Sequence, residues 1–245
     1  MSVLLEFNGY TKAVDTDFAD LFALLAPIGR EQFFKDYWEK APFVIRRCAE
    51  SSVRRVLDVA DIDRVVGSSG LRPTDLRAAK DHSTLGTAEL FPEGVADKQA
   101  VLDAFRRGYS LIFDQIDRHL PALADALYAW ESELGLQVRA NAFLTPRASA
   151  GFHRHYDTHD VIVVQVHGRK TWDVCNSPLP LPHEEQQPQS SRWARDAELI
   201  ARIEMAPGDL LYLPRGFVHA ASADDTDSLH ISVSIRNLAL RDVCH

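Results

Sequence analysis

His155-Tyr156-Asp157 and the later run Pro214-Arg215-Gly216-Phe217-Val218-His219 hold the side chains best suited to chemistry, because together they offer two imidazoles and one carboxylate. A 2-His-1-carboxylate set occupies one face of a metal ion and leaves the opposite positions open, which suits Fe(II) that must hold an organic cosubstrate and O2 together. The expected chemistry is iron-dependent oxygenation. In an extended strand, residues i and i+2 share a face, so His155 and Asp157 can enter one cavity while Tyr156 turns away. A lone His-x-Asp is weak evidence, since short motifs recur by chance. The second segment strengthens it: Pro207 to Gly216 reads as turn, short apolar strand and turn, which delivers His219 onto the next strand.

Asp160 to Val166, the pair His167-Gly168, and Arg169 to Val174 read as a β-hairpin that returns the chain toward the metal. A 2-oxo acid chelating iron through its carboxylate and keto oxygens leaves its far carboxylate in an apolar barrel, where an unpaired charge is costly. Lys170 is the basic residue placed to meet it, in a charge-assisted hydrogen bond worth about 1.5–3 kcal/mol. From the hairpin alone, an exposed surface lysine is an equally good reading.

These residues need elements to position them. The first third reads as mainly helical: Asp17 to Ala26, Arg30 to Trp38 with its aromatic stripe, and Asp61 to Val66 before a Gly/Ser loop at 67–70. Pro42 to Arg46 reads as a strand, Asp97 to Arg107 as a helix, and Tyr109 to Phe113 as a buried strand. His119 to Leu134 is the longest helical pattern and stops at Gly135. Beyond Gly135 the period changes to that of short strands: Gln137 to Thr145, Asp160 to Val166, Arg169 to Val174, Leu210 to Leu213 and Leu229 to Arg236. Pro178 to Ser191 is a Pro/Gln/Ser-rich insertion that reads as an exposed loop able to cover the cavity mouth. One domain over 1–245 is the simplest organisation, with a helix-rich part over 1–135 and a β-barrel core over 136–245.

Composition excludes several classes. Charged residues make up 25% and hydrophobic ones 46%, ordinary for a globular chain, and no apolar run approaches the roughly 20 residues that span a bilayer. No membrane association and no signal peptide are expected, so a cytoplasmic location follows by default. The net charge of -8 argues against nucleic acid as a partner, despite arginine pairs at 46–47, 54–55 and 106–107. Cys48, Cys175 and Cys244 are too few and too scattered for a disulfide framework or a structural zinc site.

Taken together, Asn141 to Pro146, Gly151 to Val161, Gln165 to Trp172 and Pro207 to His219 resemble the JmjC-type 2-oxoglutarate oxygenases, closest to the cupin-4 group of ribosomal oxygenases. Phe33 to Trp38 with Pro42 to Arg46 looks like that group's N-terminal entry. The resemblance implies a mainly β fold, a double-stranded β-helix (jelly-roll or cupin barrel) with N-terminal helices packed around it. It also implies Fe(II) on His155, Asp157 and His219, 2-oxoglutarate as cosubstrate with Lys170 gripping its distal carboxylate, and O2. Asn141 and Ser232 fall on strands that line the family's cavity; the resemblance makes them candidates for cosubstrate contacts, and polar strand positions satisfied within the fold fit them equally well. His-x-Asp resembles the hydroxylase members, so side-chain hydroxylation is favoured over demethylation.

Two departures accompany the resemblance. Phe143 stands where related enzymes often carry a tyrosine whose hydroxyl helps hold 2-oxoglutarate, so that contact is absent or replaced. The helical dimerisation region and winged-helix domain of ribosomal oxygenases are not expected after Leu229 to Arg236. The expected partner is therefore a peptide or protein, as for stand-alone oxygenases that tailor peptides, with a homodimer left open. A small-molecule oxygenase is the second reading. A non-oxygenase cupin metal or ligand binder is the third, in which His153 replaces Asp157 as a ligand. His159, His167, His183 and His230 read as structural histidines, and Arg72, Arg77 and Arg215 as groups that could meet an acidic peptide.

Overall fold

The computed structural model describes residues 4–8, 17–46, 50–68, 70–80, 83–150, 153–186 and 192–236. Cys48, Cys244, Arg47, Ser69, Gly151, Phe152 and the end of the 178–191 insertion lie outside the described residues.

The strands are β1 (Leu5–Asn8), β2 (Phe43–Arg46), β3 (Leu76–Lys80), β4 (Ser83–Thr84), β5 (Ser110–Phe113), β6 (Gln137–Thr145) and β7 (Ser149–Ala150). They continue with β8 (Asp160–His167), β9 (Lys170–Cys175), β10 (Leu199–Met205), β11 (Leu210–Leu213), β12 (His219–Ala223) and β13 (Ser228–Arg236). Nine form one sheet in the order β1-β2-β11-β8-β13-β6-β5-β3-β4, and four form a second in the order β10-β9-β12-β7. The expected mainly β fold with helices is present. The helix-rich first part also contributes β1 to β5 to the large sheet, so it extends the barrel wall as well as packing against it.

Strand alternation builds two cores from one sheet. Ile162, Val164, Leu210, Tyr212, Ile231 and Val233 face the helices, where they meet Trp130, Phe33 and Leu127. Val161, Val163, Leu211 and Leu213 face the second sheet and pack on Trp172, Val174, Ile203 and Met205. Full burial of each such side chain contributes about 1.5–3 kcal/mol, so both faces of the large sheet are strongly specified.

The helix Pro121–Leu134 ends at Gly135 in a left-handed cap, and Lys98–Arg106 starts at the Asp97 cap, as the turn residues predict. In the region 17–26, helix is confined to Leu21–Leu24 with Asp20 as its N-cap, and the chain turns after Leu25 toward Pro27, which cannot continue a helix.

The hairpin expected from 160–174 does not form. β8 is flanked by β11 and β13, whereas β9 pairs with β10 and β12 in the other sheet. Gly168, at φ +63°, turns the corner between the sheets, and a Cβ there would lie 1.9 Å from the Asp227 carbonyl oxygen. Both hydrogen-bonding edges of β8 are already taken, so the chain must cross over. That crossing carries Lys170 inward.

Candidate functional site

His155 and His219 meet through main chain. His155 N–H donates to His219 O at 3.0 Å and His219 N–H donates to His155 O at 2.7 Å, an isolated antiparallel bridge that sets the ring centroids 4.5 Å apart. Gly216 N–H donates to Asp157 O at 2.9 Å, which ties the third residue to the same turn. One ligand atom from each of His155, Asp157 and His219 lies within 4.8 Å of the other two, and His219 Nε2 is 3.5 Å from Asp157 Oδ2.

The donor chemistry fits a divalent metal. His155 Nδ1 is 2.8 Å from His153 O and His219 Nδ1 is 3.0 Å from Phe217 O. An Nδ1–H bonded to a carbonyl fixes the tautomer whose lone pair sits on Nε2, the form a metal ligand needs. Burial, and secondarily the neighbouring His155, push the His219 pKa down to about 4, so its imidazole is neutral at pH 7. Burial raises the Asp157 carboxyl, but the imidazoles of His219, His155 and His159 outweigh it and leave the carboxyl below its ordinary range. A neutral His219 imidazole, a His155 ring whose Nδ1 faces a carbonyl and an ionised Asp157 make a donor set that suits Fe(II). His153, whose backbone carbonyl orients His155, lies on the surface outside this set.

Lys170 is buried, at 3% exposure, which decides between its two readings: it is no surface lysine. Its Nζ donates to Thr145 Oγ1 at 2.9 Å and lies 3.5 Å from His230 Nδ1, and burial pushes its pKa down to about 7. No carboxylate of the described residues pairs with it. Trp172 connects the two parts of the site, its ring 5.9 Å from that of His219 and 5.4 Å from that of His230.

Asn141 and Ser232 face each other in register across β6 and β13. Asn141 Oδ1 accepts a hydrogen bond from Gln115 N–H at 2.9 Å and so caps a left-handed turn at Gln115. That bond gives Asn141 a structural task. Ser232 sits two residues from His230 on the same strand face.

Thr145 and Trp172 are not singled out by the sequence reading, and His230 is read there as structural, although a signal exists. Thr145 follows Asn141 and Phe143 at a spacing of two, and His230 precedes Ser232 at the same spacing, so each shares a face with a named candidate. Arg77 pairs with Asp114 and Arg215 with Glu39, at 2.5 and 2.6 Å, which commits both to the fold rather than to an acidic peptide.

The insertion closes on the triad from outside. Tyr156 Oη donates to Gln186 O at 2.9 Å, and Arg215 Nη1 donates to Pro182 O at 3.4 Å. Gly216, at φ +88°, lets the loop approach: a Cβ there would lie 2.5 Å from Leu179 O and 2.8 Å from Ser177 Oγ. Among the described residues, no helix is long and apolar enough to cross a membrane.

Comparison with known proteins agrees with this geometry. The family model described as JmjC domain matches residues 119–243. The chain is 31% identical over 215 residues to the Drosophila persimilis protein named bifunctional lysine-specific demethylase and histidyl-hydroxylase NO66, covering 87% of this chain and 31% of that one. It is 33% identical over 227 residues to Gallus gallus ribosomal oxygenase 1, covering 88% of this chain and 36% of the relative. The chain thus spans about a third of the length of these relatives. The Escherichia coli ribosomal oxygenase YcfD shares the fold at TM-score 0.62 and 20% identity, over 88% of this chain and 54% of that one. That protein has also been solved in complex with cobalt and 2-oxoglutarate. With the matched region covering half of the chain and including all three triad residues, the chain belongs to the JmjC domain family.

Proposed function

We propose that this protein is an Fe(II)- and 2-oxoglutarate-dependent dioxygenase that hydroxylates a side chain of a peptide or protein substrate. The observation that carries the reading is the pairing of a His155, Asp157 and His219 cluster with a buried lysine that has no anionic partner among the described residues. His155, Asp157 and His219 would hold Fe(II), and Lys170 the remote carboxylate of 2-oxoglutarate. The bound metal supplies oxidative decarboxylation of 2-oxoglutarate by O2, giving succinate and CO2 while the second oxygen atom enters a substrate C–H bond.

The chain's own residues bind and shield. Lys170 donates to the carboxylate, Thr145 holds the ammonium in place, and Val161, Val163, Leu211 and Val174 form apolar walls that exclude water. Asn141 and Ser232 remain part of the proposed cosubstrate pocket, Asn141 by shaping its wall. The relatives' names support a protein substrate: one is a bifunctional lysine-specific demethylase and histidyl-hydroxylase and another a ribosomal oxygenase. A cytoplasmic location and no nucleic-acid partner belong to the same reading, in keeping with the net charge of -8.

Incubation of the purified chain with Fe(II), 2-oxoglutarate and a peptide library, read by mass spectrometry, is expected to give a one-oxygen gain on a peptide matched by succinate release. Absence of any metal-dependent succinate formation, with or without peptide, would sink the assignment.

A further inference from the structure

We propose that His230 is a second contact for the remote carboxylate of the 2-oxo diacid, in place of the hydroxyl that Phe143 lacks; this rests on the cosubstrate reading given above. His230 and Phe143 lie opposite each other in the register of β13 and β6. Their rings are parallel, 1° apart in orientation with centroids 4.8 Å apart, and the Trp172 ring meets His230 edge-on at 79°. Packed between two aromatic rings, the imidazole is held in one plane.

Its Nδ1 faces Lys170 Nζ at 3.5 Å, so two nitrogens converge on one region of the cavity. His155 and His219 each direct Nδ1 at a backbone carbonyl; His230 does not, and Lys170 is its polar neighbour among the described residues. Two groups that can each carry positive charge are therefore buried side by side, His230 at 3% exposure, with no carboxylate of the described residues paired to either. Burial, then the charge on Lys170, hold the His230 pKa well below its ordinary value. A carboxylate placed within reach of both nitrogens accepts a charge-assisted hydrogen bond from each. With its proton on Nδ1, the imidazole donates one bond and Lys170 the other. Phe143 is the positioning residue, since its face fixes the plane in which His230 donates. A 2-oxo acid without a remote carboxylate, such as pyruvate, touches neither nitrogen, so the pair selects for a diacid.

The full chain loaded with Mn(II) tests this through dissociation constants for 2-oxoglutarate and pyruvate, measured by calorimetry. His230→Phe is expected to weaken 2-oxoglutarate about tenfold or more, the loss of one charge-assisted hydrogen bond, with pyruvate unchanged. Adding Phe143→Tyr to that variant returns a hydroxyl to the pocket and is expected to recover most of the loss. In the zinc-loaded wild-type chain, 2-oxoglutarate is expected to move the His230 Nδ1 resonance of 15N-histidine-labelled protein toward that of a hydrogen-bonded N–H, a readout independent of whether any variant folds. Unchanged 2-oxoglutarate affinity in His230→Phe, an equal loss for pyruvate, or an Nδ1 resonance that the ligand leaves in place overturns the role of His230. Should Lys170→Met lose 2-oxoglutarate while His230→Phe does not, the cosubstrate reading stands and this inference falls. A wild-type chain that fails to bind 2-oxoglutarate removes the cosubstrate reading itself.

Discussion

The backbones of His155 and His219 hydrogen-bond to each other in both directions, at 3.0 and 2.7 Å, so the alignment of the two imidazoles is set by main chain. Their side chains can be removed without removing the bridge. Ligation and folding are therefore separable at this site, and much else in the site can be tested on that basis.

His155→Ala and His219→Ala are each expected to keep the wild-type circular dichroism spectrum and to lose Co(II) or Mn(II) affinity by more than about 100-fold, beyond the cost of losing an outer-shell partner. Calorimetric metal titration checks this. Wild-type metal affinity in either variant would remove that histidine from the ligand set.

Lys170 is a site where stability and function oppose each other. Its folded pKa, about 7, lies below the ordinary lysine value of 10.5, so between those pH values the unfolded chain binds the extra proton. Stability of the ligand-free protein accordingly falls as pH drops through that window, and the full penalty is present below pH 7. Lys170→Met is expected to stabilise the ligand-free protein at pH 7 by about 1–4 kcal/mol, as replacement of buried charges by apolar groups often does. Urea unfolding measures the gain, and a destabilised Lys170→Met chain would contradict the account.

The same shift predicts how cosubstrate binding depends on pH. An anion requires the ammonium form, and above pH 7 the free protein must take up a proton to supply it. The 2-oxoglutarate dissociation constant is expected to rise between pH 7 and 9, by up to about tenfold per unit. An affinity that stays flat over this range, measured with metal loading held saturated, would exclude Lys170 as the titrating anchor.

Gly216→Ala tests the junction of the loop with the triad. At φ +88° a side chain is strained, and the new Cβ would meet Leu179 O at 2.5 Å. A stability loss of at least about 1 kcal/mol is expected, together with weaker metal binding, because Gly216 N–H also holds the Asp157 carbonyl. Thermal unfolding with and without Co(II) distinguishes these effects, and an unperturbed variant would mean that the loop yields freely.

Asn141→Ala separates a structural from a ligand-binding role. Its Oδ1 caps Gln115 N–H, so the variant is expected to lose about 0.5–1.5 kcal/mol of stability with little change in 2-oxoglutarate affinity. A large affinity loss at unchanged stability would make Asn141 a direct contact rather than a wall residue of the pocket.

What the chain alone makes legible is local. The spacing of His155-x-Asp157 marks two donors, although an isolated bridge at His155 stands there in place of a strand; Gln137 to Thr145 and Leu210 to Leu213 announce themselves by strand composition, and Gly135 ends its helix through its left-handed conformation. Charge and position mark Lys170 in the sequence, yet its burial is not legible there, since a lysine beside a turn looks the same whether it faces water or a barrel. That difference came from β8 having both edges occupied, which forces the chain at Gly168 into the second sheet. Likewise His230 reads as one more strand histidine until β13 lies beside β6 and brings it onto Phe143. Residue type and spacing determined which groups could do chemistry. Long-range pairing, paid for by burial on both faces of the large sheet, decided which of them share a cavity, because contacts between distant strands leave no period in the sequence.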